Sequence, residues 1–127
     1  MDKIPVLREM MQPKDQNVWG RIGGAKILEM IDLASGTEAM KYSKGYKVVT
    51  VAIKEVIFKT PVYPADILSI YAKLNRIGKT SLTIDLEAEF LRRDGTVGTA
   101  ATAQTVFVAI DDDGNPVQIG EEDESAG

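Results

Sequence analysis

The chain contains neither cysteine nor histidine. Its chemistry therefore cannot run through a Cys/His dyad, a Ser-His-Asp triad or an imidazole base. A zinc site built only from carboxylates would be unusual, so no metal ligands are expected. Acid–base work falls to Asp, Glu, Lys or Tyr. Asp32 is the first candidate. In the helical segment AKILEMIDLASGTEAMK it lies about 40° beyond Leu28 at about 100° per residue, at the rim of an arc formed by Ile27, Leu28, Met30, Ile31, Ala34 and Ser35. Residues one turn away are mostly small or apolar, whereas Lys26 and Glu29 fall further toward solvent. A carboxylate at such a rim should be partly desolvated, as acid–base groups often are. Periodicity alone favours the plainer reading, a solvated Asp at the edge of a helix stripe.

Gly23 and Gly24 precede that helix. Glycines admit a ligand close to the backbone, and unpaired N–H groups at a helix start can hold a negative oxygen. Such a cradle suits the oxyanion of thioester hydrolysis, although a flexible loop-to-helix turn would read the same way. Gly78, Lys79, Thr80 and Ser81 invite comparison with a P-loop, but Lys73 stands where its first glycine belongs. The segment also lies between two strands rather than between strand and helix. What remains is a hairpin turn whose amides, hydroxyls and Lys79 could meet a phosphate or a pantetheine chain. Arg76, Arg92 and Arg93 join Lys79 as candidates for an anion patch, against the commoner reading of solvated charges.

These residues must be positioned by one domain. The 127 residues suffice for a single core, 44% are hydrophobic, and the formal net charge is −4. That charge opposes broad nucleic-acid binding, although acidic runs at Asp111 to Asp113 and Glu121 to Glu124 carry much of it. No apolar run approaches the roughly 20 residues of a membrane span. The opening MDKIPVLREMMQPKDQ does not read as a secretory signal, and the lack of cysteine fits a cytoplasmic location.

Residues 5–12 read as a short strand, and Ala25 to about Lys41 as a helix closed by Gly45. Gly36 inside the helix suggests close packing at that turn. Strands are expected at 47–58, 67–77, 80–93 and 99–110, separated by turn signals that include Asp94-Gly95. One helix followed by an antiparallel meander buries both apolar faces if the sheet wraps the helix, an α+β arrangement known as the hotdog fold. Residues 1–118 form the expected domain, and the acidic stretch 119–127 is expected to be disordered.

The segment NVWGRIGGAKILEMID, from Asn17 to Asp32, resembles the opening motif of the hotdog-fold acyl-CoA hydrolases. That motif has an Asn-x-x-Gly, a Gly-Gly pair, and an Asp or Glu on the central helix. Asn17, Gly20 and Asp32 stand at the matching places. The likeness continues through VVTVAIKEVIFKTPVYPAD, with Val49, Thr50, Phe58, Pro61 and Asp66, then LNRIGKTSLTI and VFVAIDDDGNP. One departure concerns the glycines. Gly23 occupies a place usually aromatic or His, Gly24 matches the first Gly, and Ala25 the second, which alters the pocket wall and bears on substrate preference.

The resemblance implies a hydrolase that cleaves acyl-CoA to a fatty acid and CoA and needs no further cofactor. It implies paired sheets in a homodimer, commonly three dimers to a hexamer, with each site at a subunit interface. Asp32 of one protomer would face Asn17 of the partner subunit, and the thioester oxygen would sit near the Gly24 N–H beside Gly23. Asp32 would serve as general base or as nucleophile. Hotdog hydratases typically use a His, which this chain lacks. A non-catalytic domain that binds acyl-CoA is the alternative from another class.

Overall fold

A computed structural model describes residues 3–121. A short strand β1 (Leu7–Met10) precedes the helix α1 (Gly24–Ala39), and four longer strands follow: β2 (Lys47–Phe58), β3 (Ile67–Ile77), β4 (Ser81–Leu91) and β5 (Val97–Ile110). All five strands join one antiparallel sheet in the order β1-β3-β4-β5-β2.

Strict alternation decides which side of the sheet meets the helix. Leu82, Ile84, Leu86, Ala88 and Phe90 of β4 are buried, and the intervening residues are only partly covered. Their neighbours Ala101, Ala103, Thr105, Phe107 and Ala109 on β5 face the same way, as do Leu68 and Ile70 on β3. The helix returns Ile27, Met30, Ile31, Ala34 and Ala39 to this core. Small residues on β5 and on the helix let the two layers approach, and Ile31 is wholly buried between them. Burial of such a side chain contributes about 1.5–3 kcal/mol. A side chain at Gly36 would come no nearer than 3.9 Å to the Phe107 ring, so packing at that turn is ordinary.

The strand limits match their expected places, but the pairing differs in one respect. β3, β4 and β5 form the expected meander, whereas β2 lies at the far edge beside β5. The segment 59–66 is therefore a crossover and not a hairpin turn. It leaves β2 with Lys59 and Thr60 both donating to the Ala100 carbonyl, and it passes the helix start, where Ile22 N–H donates to Val62 O. Local turn chemistry could not reveal this, because Pro61 and Pro64 suit a crossover as well as a turn. Two bulges bend β2, the second around Glu55, whose φ is 55°.

The packed chain continues past residue 118. Ile119 is 2% exposed, and its N–H donates to Lys79 O at 2.9 Å. Residues 122–127 of the acidic tail lie outside the described residues.

Candidate active site

Gly23 is the N-cap of α1 and carries no side chain to satisfy the first helical N–H groups. Gly24 is the first helical residue, a position whose N–H has no intrahelical acceptor. A groove of about 440 Å³ opens there, lined by Asn17, Arg21, Ile22, Gly24, Ile27 and Phe58 together with residues 59–62. Its walls are largely apolar and its rim is polar. Phe58 lies against the helix start, since a Cβ on Gly24 would stand 3.1 Å from the Phe58 ring.

Asn17 shapes the mouth. Its Oδ1 accepts the N–H groups of Trp19 at 2.9 Å and Arg21 at 3.3 Å. Its own backbone N–H donates to Arg21 O, and Gly20 N–H donates back to Asn17 O. This four-way closure makes residues 17–21 a tight turn, with Gly20 at φ 78°. Among the described residues the Asn17 Nδ2 group has no protein acceptor, so its hydrogens can face a ligand.

Asp32 lies elsewhere on the helix. It is half-buried, and its Oδ1 accepts the Thr50 hydroxyl of β2 at 2.8 Å. Eight residues of helix separate it from Gly24, about 12 Å at 1.5 Å per residue. The structure thus brings Asn17, Gly23 and Gly24 together but leaves Asp32 apart within one chain. Beside Asp32 runs β2, an outer strand that exposes Val49, Val51, Ile53 and Ile57.

The expected anion patch divides. Arg76 and the turn Gly78 to Ser81 lie at one end of the sheet, and Arg92 and Arg93 lie at the other end of β4. The 11 residues of β4 span the distance, roughly 35 Å at about 3.3 Å each. Gly78 N–H donates to Ser81 O, and the carbonyls of Lys79 and Thr80 accept from residues 119, 120 and 109. The side chains of Lys79 and Arg93 are exposed. Arg92 is not a patch residue. Its Nη2 donates to Pro61 O at 2.8 Å, its Nε lies 3.5 Å from the buried Asp66, and its guanidinium covers the Phe90 ring.

A larger hollow of about 700 Å³ lies on the opposite face of the sheet, between Lys3, Tyr71, Asp85 and Glu87. There Lys3 and the Thr99 hydroxyl hold the Glu87 carboxyl below its ordinary range. This hollow has no helix terminus and no glycine cradle.

Thr50, Phe58, Arg21 and Lys59 acquire places near the site that sequence reasoning had not assigned. Thr50 and Phe58 read only as strand residues, because their facing depends on the register of β2 against β5. Arg21 stands two residues before Gly23, which was an available signal for it, whereas Lys59 lies far along the chain and only the crossover brings it to the groove.

A model of the thioesterase superfamily matches residues 20–98. An uncharacterized acyl-CoA thioester hydrolase of Zymomonas mobilis is 35% identical over 116 residues, covering 91% of this chain and 77% of that protein. The acyl-CoA thioester hydrolase YciA of Salmonella typhimurium is 32% identical across 91% of this chain and 92% of its own length. Among solved structures, the hexameric thioesterase y2039 from Yersinia pestis superposes with a TM-score of 0.88 at 30% identity, covering 95% of this chain and 98% of that one. The matched residues hold Gly23 and Gly24, the whole of α1 and the strands β2 to β4, and the chain belongs to the thioesterase superfamily.

Proposed function

We propose that the protein hydrolyses acyl-CoA thioesters to a free acid and CoA. The observation that carries this reading is the apolar groove ending on the unpaired N–H of Gly24, with Asn17 at its mouth. An acyl group packs against Ile22, Ile27, Phe58 and Val62 while its carbonyl oxygen accepts from Gly24. Negative charge that develops on that oxygen is stabilised by the backbone donor and the helix terminus. Either Asp32 takes a proton from a water that attacks the carbonyl carbon, or the Asp32 carboxylate attacks and forms an acyl anhydride that water then hydrolyses. In both routes the C–S bond breaks and CoA leaves as the thiol with a proton derived from the water. Asn17 Nδ2 orients water or substrate. No cofactor takes part, and a cytoplasmic location suits the substrate.

Asp32 is supplied by a second subunit, because about 12 Å of helix separates it from Gly24 in its own chain. The homodimer is then the minimum working unit. A hexamer built from three such dimers accords with the hexameric state of the Yersinia relative. Lys79 and Arg93 can reach one CoA only if different subunits supply them.

The test is thiol release from acyl-CoAs of graded chain length. Asp32→Asn should lower kcat by roughly 10²-fold or more while CoA binding persists. Near-normal turnover in that variant would remove Asp32 from the mechanism. A wild-type protein that binds acyl-CoAs without cleaving any would favour a non-catalytic binding domain.

A further inference from the structure

The groove at the helix start is positive in a protein whose net charge is −4. Arg21 and Lys59 both line it, from the loop before α1 and the crossover after β2, and no carboxylate does. Other cations are committed to carboxylates: Lys3 to Glu87, Lys26 to Glu9, Lys41 to Glu38 and Lys47 to Asp112. Among the described residues, the Arg21 and Lys59 side chains make no ion pair and no hydrogen bond. The charge of Lys59 helps to lower the pKa of Glu87 only from a distance. Two exposed cations that line one groove suit a polyanion, whose charges they would neutralise.

Trp19 is the chain's one tryptophan. It is 82% exposed, on a turn that the Asn17 side chain holds rigid two residues from Arg21. An exposed planar ring two residues from Arg21, on the turn at the groove's mouth, matches a nucleotide, with a base to stack and phosphates to neutralise.

We propose that Arg21, Lys59 and Trp19 form the subsite for the nucleotide end of CoA, the phosphates lying between the two cations and the adenine on the indole. The assignment rests on the proposed hydrolysis of acyl-CoA at this groove. It differs from a role for Lys79, which lies at the other end of β4 from Arg92, the residue that bonds Pro61 of the groove wall.

Adenosine 3′,5′-bisphosphate, which carries the base and two phosphates without any thioester, is the probe. Its titration should change Trp19 fluorescence saturably, and more weakly as salt rises. Arg21→Ser with Lys59→Ser should weaken that binding roughly tenfold or more. Both positions are exposed, and the turn is held by the Asn17 side chain and by backbone groups, so the variant should fold. In steady-state assays, the ratio of KM for an acyl-CoA to KM for the matching acyl-N-acetylcysteamine should rise by a similar factor. A silent Trp19, an unchanged affinity in the double variant, or an unchanged KM ratio would each overturn the subsite. Failure of the hydrolase reading is separate and visible in the wild type alone, as absence of thiol release at every chain length.

Discussion

Two demands meet at Gly24, a backbone donor for the proposed oxyanion and room beside Phe58, and they can be separated. Every residue offers the same backbone N–H, so the oxyanion role does not by itself require glycine. Space does. A Cβ at this position would stand 3.1 Å from Phe58 Cζ and 3.5 Å from both Cε atoms, tight enough to displace the ring. Phe58 is 51% exposed and can only swing into the groove or away from it. Alanine is favoured over glycine in a helix by up to about 1 kcal/mol, so Gly24→Ala should not unfold the protein. It should lower kcat/KM roughly tenfold, about 1.4 kcal/mol of transition-state stabilisation. Phe58→Leu in the same chain should restore part of that loss, because the smaller side chain leaves room for the methyl group. If Gly24→Ala alone keeps full activity in thiol-release assays, the Phe58 contact does not shape the site.

At the scale of elements, the crossover 59–66 supplies one wall of the groove, and Arg92 fastens it. The guanidinium bonds Pro61 O, approaches Asp66 and lies over Phe90 and Tyr63. Asp66 is 5% exposed, and among the described residues its carboxylate otherwise accepts only the Tyr63 N–H. Arg92→Met would keep most of the stem's packing but leave that carboxylate unpaired, at a cost of about 1–3 kcal/mol. Differential scanning calorimetry should register a fall in Tm of roughly 5–10 °C. Adding Asp66→Asn should recover part of it, since the neutral amide needs no counter-charge. An unchanged Tm in Arg92→Met would show that the crossover is held by its backbone bonds alone.

The same elements mark how far sequence reasoning reached. α1 and the four long strands were legible because Leu82, Ile84, Leu86 and Ala88 alternate, and Ile27, Ile31 and Ala34 recur at helical spacing. Such patterns are local. The place of β2 was not legible, because Val49 and Ile53 suit an outer strand beside β5 as well as one beside β3. The anion patch misled for a related reason. Arg76 and Arg93 each border a turn, but only the register of β4 reveals that those turns lie at opposite ends of the sheet. Asn17, Gly24 and Asp32 were found through a motif, which records their order and not the distance between them.

For the whole molecule, the decisive feature is the outer strand. β2 presents Val51 at 56% and Ile57 at 53% exposure along an edge with unpaired backbone groups. An apolar open edge of this length can recruit another strand, and under the proposed mechanism a second copy of the same chain is that partner. If Asn17 and Gly24 of one subunit meet Asp32 of another, two inactive variants should complement. Asn17→Ala and Asp32→Ala proteins are each expected to be nearly inactive alone. On random exchange, half of the dimers are mixed, and each mixed dimer regenerates one of its two sites, so activity should return to roughly a quarter of wild type. The mixture should be incubated until native mass spectrometry detects mixed oligomers, then assayed for thiol release. Recovery that tracks the mixed species supports a shared site. Exchange without recovery would mean that Asp32 and Asn17 serve the same chain, and the 12 Å of helix between Gly24 and Asp32 would then have to be spanned by the substrate itself.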